Sequence, residues 1–217
     1  MLEEQIIAYC ERTDFTYWSE PVNALSNAGF VLVAALLWPR TAGVALARAL
    51  VVVLAAIGFG SFLWHTHATR WAGLADVLPI LAFILLYLFV ATRDFLGLSV
   101  FWAAVAVALF LPYAAVISGL LGLVLPGLGA SAAYASVAVL IAGYGLWLRH
   151  MPTGRGLLLG AGLLCVSLGF RMADDAVCAV FPMGTHFLWH ILNAVMLGWM
   201  VHVYLRHLRM AQAGRGK

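Results

Sequence analysis

The chain has 217 residues, of which 65% are hydrophobic and only 10% charged, and its mean hydropathy is +1.00. Soluble domains carry roughly a quarter of their residues as charged side chains, so this composition excludes a soluble domain and describes a polytopic membrane protein. The net charge of +3 comes with no basic patch, which excludes nucleic acid as a partner.

A spanning helix needs roughly 20 apolar residues, and seven runs of that kind follow one another, at about 23–39, 44–66, 75–92, 98–118, 131–148, 156–173 and 186–206. The expected fold is an all-α membrane protein, a single seven-helix transmembrane bundle over residues 1–217. Residues 1–22 form a polar cap with a possible amphipathic turn. The cap is acidic at Glu3, Glu4 and Glu11 and lacks the basic flank and small-residue cleavage site of a signal peptide, so the first apolar run is expected to stay in the protein. Pro21 suits the first turn of the first helix. Asp76 is expected to open the third run after a polar turn through Arg70 and Gly73, Pro112 to kink the fourth, and the glycine-rich residues 119–130 to form a flexible connection. Residues 207–217 read as a polar tail.

With seven crossings, the side away from the N-terminus receives Arg40, Arg48, Arg93, Arg149, Arg155, Arg206, Arg209, Arg215 and Lys217, nine of the twelve cations. Only Arg12, Arg70 and Arg171 fall on the N-terminal side. The positive-inside rule then makes the C-terminus cytoplasmic and the cap extracytoplasmic. Trp18, Trp64, Trp71 and Trp189 on one side, with Trp38, Trp102 and Trp147 on the other, suit interfacial aromatic belts.

The same topology gathers polar residues at the extracytoplasmic face. Ser61 and His65 lie one turn apart on one helical face near the end of the second run, and Asp76 follows at the start of the third. The seventh run begins THFLWHILN, so His186 and His190 share a face at a spacing that lets both imidazoles reach one metal. His65 adds a third nitrogen ligand. Three ligands leave a fourth tetrahedral position open, the arrangement of a catalytic zinc, so the bundle is expected to enclose an intramembrane zinc site. The HxxxH stretch encloses no glutamate, so the base is sought elsewhere. Asp76 is the candidate base and Ser61 a hydrogen-bond donor to the substrate carbonyl. His67, two residues beyond His65, points to another face and reads as interfacial.

These residues resemble the alkaline ceramidase family, seven-helix zinc-dependent membrane hydrolases related to the adiponectin receptors. The matching pieces are SxxxH at Ser61 and His65, the D-x-L-P element from Asp76 to Pro79, HxxxH at His186 and His190, DDAVC from Asp174 to Cys178, and the opening segment YCERTDFTYWSEPVNALSN from Tyr9. The resemblance implies zinc held by His65, His186 and His190, with Asp76 deprotonating water and Ser61 assisting. The implied reaction cleaves the amide of ceramide to a sphingoid base and a fatty acid, with substrate entering sideways from the lipid bilayer. It further implies calcium at Glu11 and Glu20, but Ala8 and Thr13 stand where the family has acid and amide side chains, leaving Asp14 as the compensating ligand. Cys10 and Cys178 fall on the extracytoplasmic side, where oxidising conditions permit a disulfide between them. Asp174 is expected to anchor a ligand histidine or Arg171, Asp175 to face solvent, and Cys165 to pack within its helix.

Two alternatives stand beside the ceramidase expectation. The same zinc centre acts on another lipid amide or ester, or the His and Asp residues serve a non-enzymatic receptor or a proton-coupled transporter. Against a transporter, the sequence has no internal repeat and no paired broken helices. Short loops, a single lysine and a bias to Ala, Leu, Gly and Arg favour a bacterial inner membrane over a eukaryotic endomembrane.

Overall fold

A computed structural model describes residues 1–215; Lys217 and the side chain of Arg215, counted above among the cytoplasmic-side cations, lie outside it. Lipid offers no partner to backbone N–H and C=O groups, so a chain this apolar satisfies them within helices. Among the described residues it forms helices and no strands, and seven helical spans are long and apolar enough to cross a membrane. The first, Pro21–Thr41, joins α1 (Pro21–Ser26), α2 (Ala28–Leu37) and a 3₁₀ turn at Trp38–Thr41, and Pro21 occupies the first turn of α1. The others are α3 (Ala45–His67), α4 (Arg70–Val90, prolonged to Phe95 by a π turn), α5 (Val100–Val124), α6 (Ala132–Trp147, after a 3₁₀ turn at Pro126–Ser131), α7 (Pro152–Val177) and α8 (His186–Arg215).

Successive spans pack side by side, and α8 closes the ring by packing on α7, α2, α1 and α3 together. At the end opposite the cap, the Tyr204 hydroxyl of α8 donates to Asp94 Oδ2 at 2.8 Å, and His207 Nε2 donates to the Asp94 carbonyl at 3.0 Å. That corner ties the end of the third span to the last helix.

Two boundaries differ from the sequence expectation. The third helix begins at Arg70, not near residue 75, and Asp76 lies in its second turn. The reason is in the cap: Glu4 and Leu2 carbonyls accept from the Arg70 and Trp71 N–H groups at 3.0 and 3.1 Å, and Ile6 N–H donates to the Ala68 carbonyl at 2.8 Å. The first N–H groups of a helix otherwise lack partners, so the polar stretch Arg70–Gly73 folds as helix under the cap. The connection at 119–130 is shorter than expected. The fourth helix runs through Pro112, Gly119 and Gly122 to Val124, because within lipid a helix keeps its backbone bonded where a loop would not. The cap contains no helical turn before Pro21.

Helices α3 and α4 approach each other closely at Gly60. A Cβ added at Gly60 would overlap the Ala75 carbonyl and come within 3.2 Å of the Asp76 nitrogen. This absence of a side chain brings Asp76 against the helix that carries Ser61 and His65. Gly60→Ala is therefore expected to cost about 1–3 kcal/mol as the helices part, seen as a lower melting temperature in detergent. Gly143→Ala, where an added Cβ meets nothing within 4 Å, is expected to hold or raise it; equal melting of the two variants would refute the close-contact account.

Candidate metal centre

The N-terminus of α8 is fixed before any ligand is placed. Asp174, buried near the end of α7, accepts through Oδ1 from the N–H groups of Thr185 and His186 at 2.7 and 2.9 Å, and through Oδ2 from the Cys10 N–H at 3.0 Å. A carboxylate at this position also opposes the positive end of the helix dipole. Gly184 takes a left-handed conformation, φ +64°, and passes so near that a Cβ there would overlap Asp174 Oδ1. Cys10 and Cys178 are joined in a disulfide, with Cα atoms 5.4 Å apart. The anchor expected of Asp174 thus acts through the backbone of His186 and not through its ring or Arg171.

On this frame three histidines converge. His65, His186 and His190 are all buried, and each offers a nitrogen within 4.8 Å of the other two. The Nε2 atoms of His65 and His190 are 3.1 Å apart. Their tautomers follow from the partners of the opposite nitrogens. His65 Nδ1 meets Glu20 Oε2 at 2.5 Å, and a carboxylate only accepts, so Nδ1 carries the proton. His190 Nδ1 meets Ser26 Oγ at 2.8 Å; the Ser26 hydroxyl proton is already given to the Asn23 carbonyl at 2.7 Å, so the hydroxyl oxygen accepts from His190 Nδ1–H. The two Nε2 atoms face each other with no other protein partner. A proton shared between them, or a metal ion bound to both, satisfies the pair. An ion with Zn–N bonds of 2.0–2.1 Å in tetrahedral geometry places its nitrogens about 3.3 Å apart, close to the observed spacing. His186 leaves a buried Nδ1 with no hydrogen-bond partner, and its ring stacks on Tyr9 with centroids 3.6 Å apart. The site can hold a metal ion, and three imidazole ligands suit zinc, copper, iron or nickel better than magnesium or calcium.

Four contributors to this centre were missed from sequence. Glu20 and Ser26 orient two of the imidazoles, Tyr9 covers the third, and Arg12 is buried behind Glu20. Burial pushes the Glu20 carboxyl up, but the His65 hydrogen bond and the Arg12 charge outweigh it and hold the group below its ordinary range. The available signal was position: Glu20 immediately precedes the first span, on the face where His65 ends the second.

Below the histidines a cavity of about 90 Å³ extends into the bundle. Its upper end is lined by Ser61, Asp76, His190 and Asn193, and its length by apolar residues down to Met200 and Ala91. From Asp76 to Ala91 along α4 is fifteen residues, on the order of 20 Å. Asp76 Oδ1 is buried and has no hydrogen-bond partner.

The remaining candidates fall outside this cluster. Among the described residues the carboxylates of Glu11, Asp14 and Glu20 do not converge as a metal-ligand group. Glu11 accepts from the Val22 and Asn23 N–H groups at 2.7 and 2.8 Å, and Asp14 accepts from the Thr16 N–H and hydroxyl at 2.8 and 2.6 Å. The cation buried beside Glu20 is Arg12. His67 is exposed and packs its edge on Tyr17 and Trp71. Arg171 lies over the rings of Tyr9, Tyr134 and Trp189, Asp175 is exposed, and Cys165 is exposed.

Compared with known proteins, the chain matches no family model and no curated protein. The case for the centre therefore stands on its own geometry. One consequence is chemical: of the three cysteines, only Cys165 is expected to react with a thiol reagent in the unfolded, unreduced protein, and all three after reduction. Three reactive thiols before reduction would remove the bridge between cap and α7.

Proposed function

We propose that this protein is a zinc-dependent hydrolase of lipid amides, of the ceramidase type. The observation that carries the reading is the continuity of one space. Three histidines whose ring nitrogens converge stand at the head of a long apolar cavity, with Asp76, one of whose oxygens is buried without a hydrogen-bond partner, and a serine, Ser61, at the same end. Any acyl chain filling that cavity would bring its polar head to these side chains. Ceramide is the substrate favoured by the sequence resemblance.

Zinc held by His65, His186 and His190 would supply Lewis acidity, polarising a carbonyl and making water nucleophilic near neutral pH. Asp76 accepts the proton of the attacking water through its free oxygen, and then delivers it to the amide nitrogen as the C–N bond breaks. Water's oxygen ends in the fatty acid and the two protons are shared between the products, so the reaction balances as a hydrolysis. The Ser61 hydroxyl donates to the carbonyl oxygen as negative charge gathers there. Glu20 and Ser26 hold the imidazoles of His65 and His190 in the tautomers that leave Nε2 free. The apolar walls exclude competing water.

Charge distribution supports an orientation with the cap and the centre extracytoplasmic and the arginine-rich ends cytoplasmic. A disulfide at the cap agrees with that compartment.

The purified protein is expected to carry one zinc per chain and to release fatty acid from ceramide in detergent micelles. His186→Ala should lose the metal. Asp76→Asn should keep it and lose turnover by two or more orders of magnitude. Absence of bound transition metal would overturn the reading, while metal without ceramide cleavage, but with cleavage of another lipid amide or ester, would move it to that substrate.

A further inference from the structure

Arg12 is the most enclosed charge of the cap, with its side chain fully shielded from solvent. A guanidinium has five N–H donors. Its Nε–H pairs with Glu20 Oε1, one terminal nitrogen donates to the carbonyls of Asp14 at 3.0 Å and Thr16 at 3.3 Å, and the other donates to the carbonyl of His65 at 2.8 Å. All of these partners are oxygens: one carboxylate and three backbone carbonyls. That oxygen set is the kind a calcium ion gathers. Only one carboxylate is engaged, which balances the single charge of a guanidinium and falls short of what a divalent ion needs. The acids that would make up the difference are committed elsewhere, Glu11 to the first turn of α1 and Asp14 to Thr16.

We propose that Arg12 is the resident cation of the cap, standing in place of calcium, and that it positions His65 by gripping both Glu20 and the His65 carbonyl. The charge is permanent, since arginine does not lose its proton in proteins. The cap is therefore organised whatever the calcium concentration, and Glu20 is held with its second oxygen on His65 Nδ1. The second half of this proposal rests on the metal reading of the three histidines; the first half does not.

Calcium titration of the purified wild-type protein by calorimetry should show no saturable binding at millimolar concentration, and a calcium chelator should leave its melting temperature unchanged. Arg12→Met keeps the length of the side chain and removes the charge. It should loosen the cap backbone, so that cleavage by chymotrypsin at the exposed Phe15, Tyr17 and Trp18 is faster, and weaken metal retention at the histidines about tenfold, the low end for loss of a ligand-orienting contact. Arg12→Lys should restore most of both, because a cation returns. Saturable calcium binding by wild type would overturn the proposal, as would an Arg12→Met protein with wild-type cleavage and metal retention. If the variants do not fold, the wild-type titration still decides the first half. If wild type holds no transition metal, the cleavage and calcium measurements remain readable, so failure of the metal centre is distinguished from failure of the cap cation.

Discussion

Two imidazole nitrogens, held 3.1 Å apart where no bulk water reaches, are the constraint around which the cap-side end of this protein is built. Neither nitrogen can turn away, because each ring is held from behind, His65 by Glu20 and His190 by Ser26. In a low-dielectric interior such a pair needs a proton or a metal ion between its nitrogens. The surrounding contacts fix the proximity: α8 is held at its first turn by Asp174, and α3 is clasped at its last turn by the cap. The wider frame is a ring of helices closed by its last member.

The cap is the part of the molecule that converts a bundle into a site. Its residues do not span the membrane, yet Tyr9, Arg12 and Glu20 all touch His65 or His186 or their immediate supports. It reaches α7 covalently through Cys10, α4 through backbone pairing at Arg70 and Trp71, and α8 through Asp174. Two of the polar contacts that hold His65, from Glu20 to its ring and from Arg12 to its carbonyl, therefore come from a segment outside the spans.

Hydropathy made the seven crossings legible, because lipid imposes length and apolarity on every span and leaves few other solutions. The grouping of His65 with His186 and His190 was legible for a related reason: seven crossings force the ends of the second and seventh spans to one face, and a four-residue spacing puts two rings on one side of a helix. What surrounds them was not. Arg12 and Glu20 lie in a stretch without periodicity, where an acidic residue reads equally as a solvated cap or a cation ligand. Only their three-dimensional pairing shows that the carboxylate is already spoken for. The start of α4 was misplaced for the same cause, since its first N–H groups, at Arg70 and Trp71, are satisfied by the carbonyls of Glu4 and Leu2, far away in the chain.

The separation of 168 residues between Cys10 and Cys178 fixes an order of events during biosynthesis. Translation delivers the cap first and the helix bearing His186 and His190 last, so Arg12, Glu20 and His65, which hold one another, are made well before the two histidines that face them. The disulfide waits for the end of α7 and the three-histidine cluster for α8, so a product lacking α8 has neither the cluster nor a closed ring.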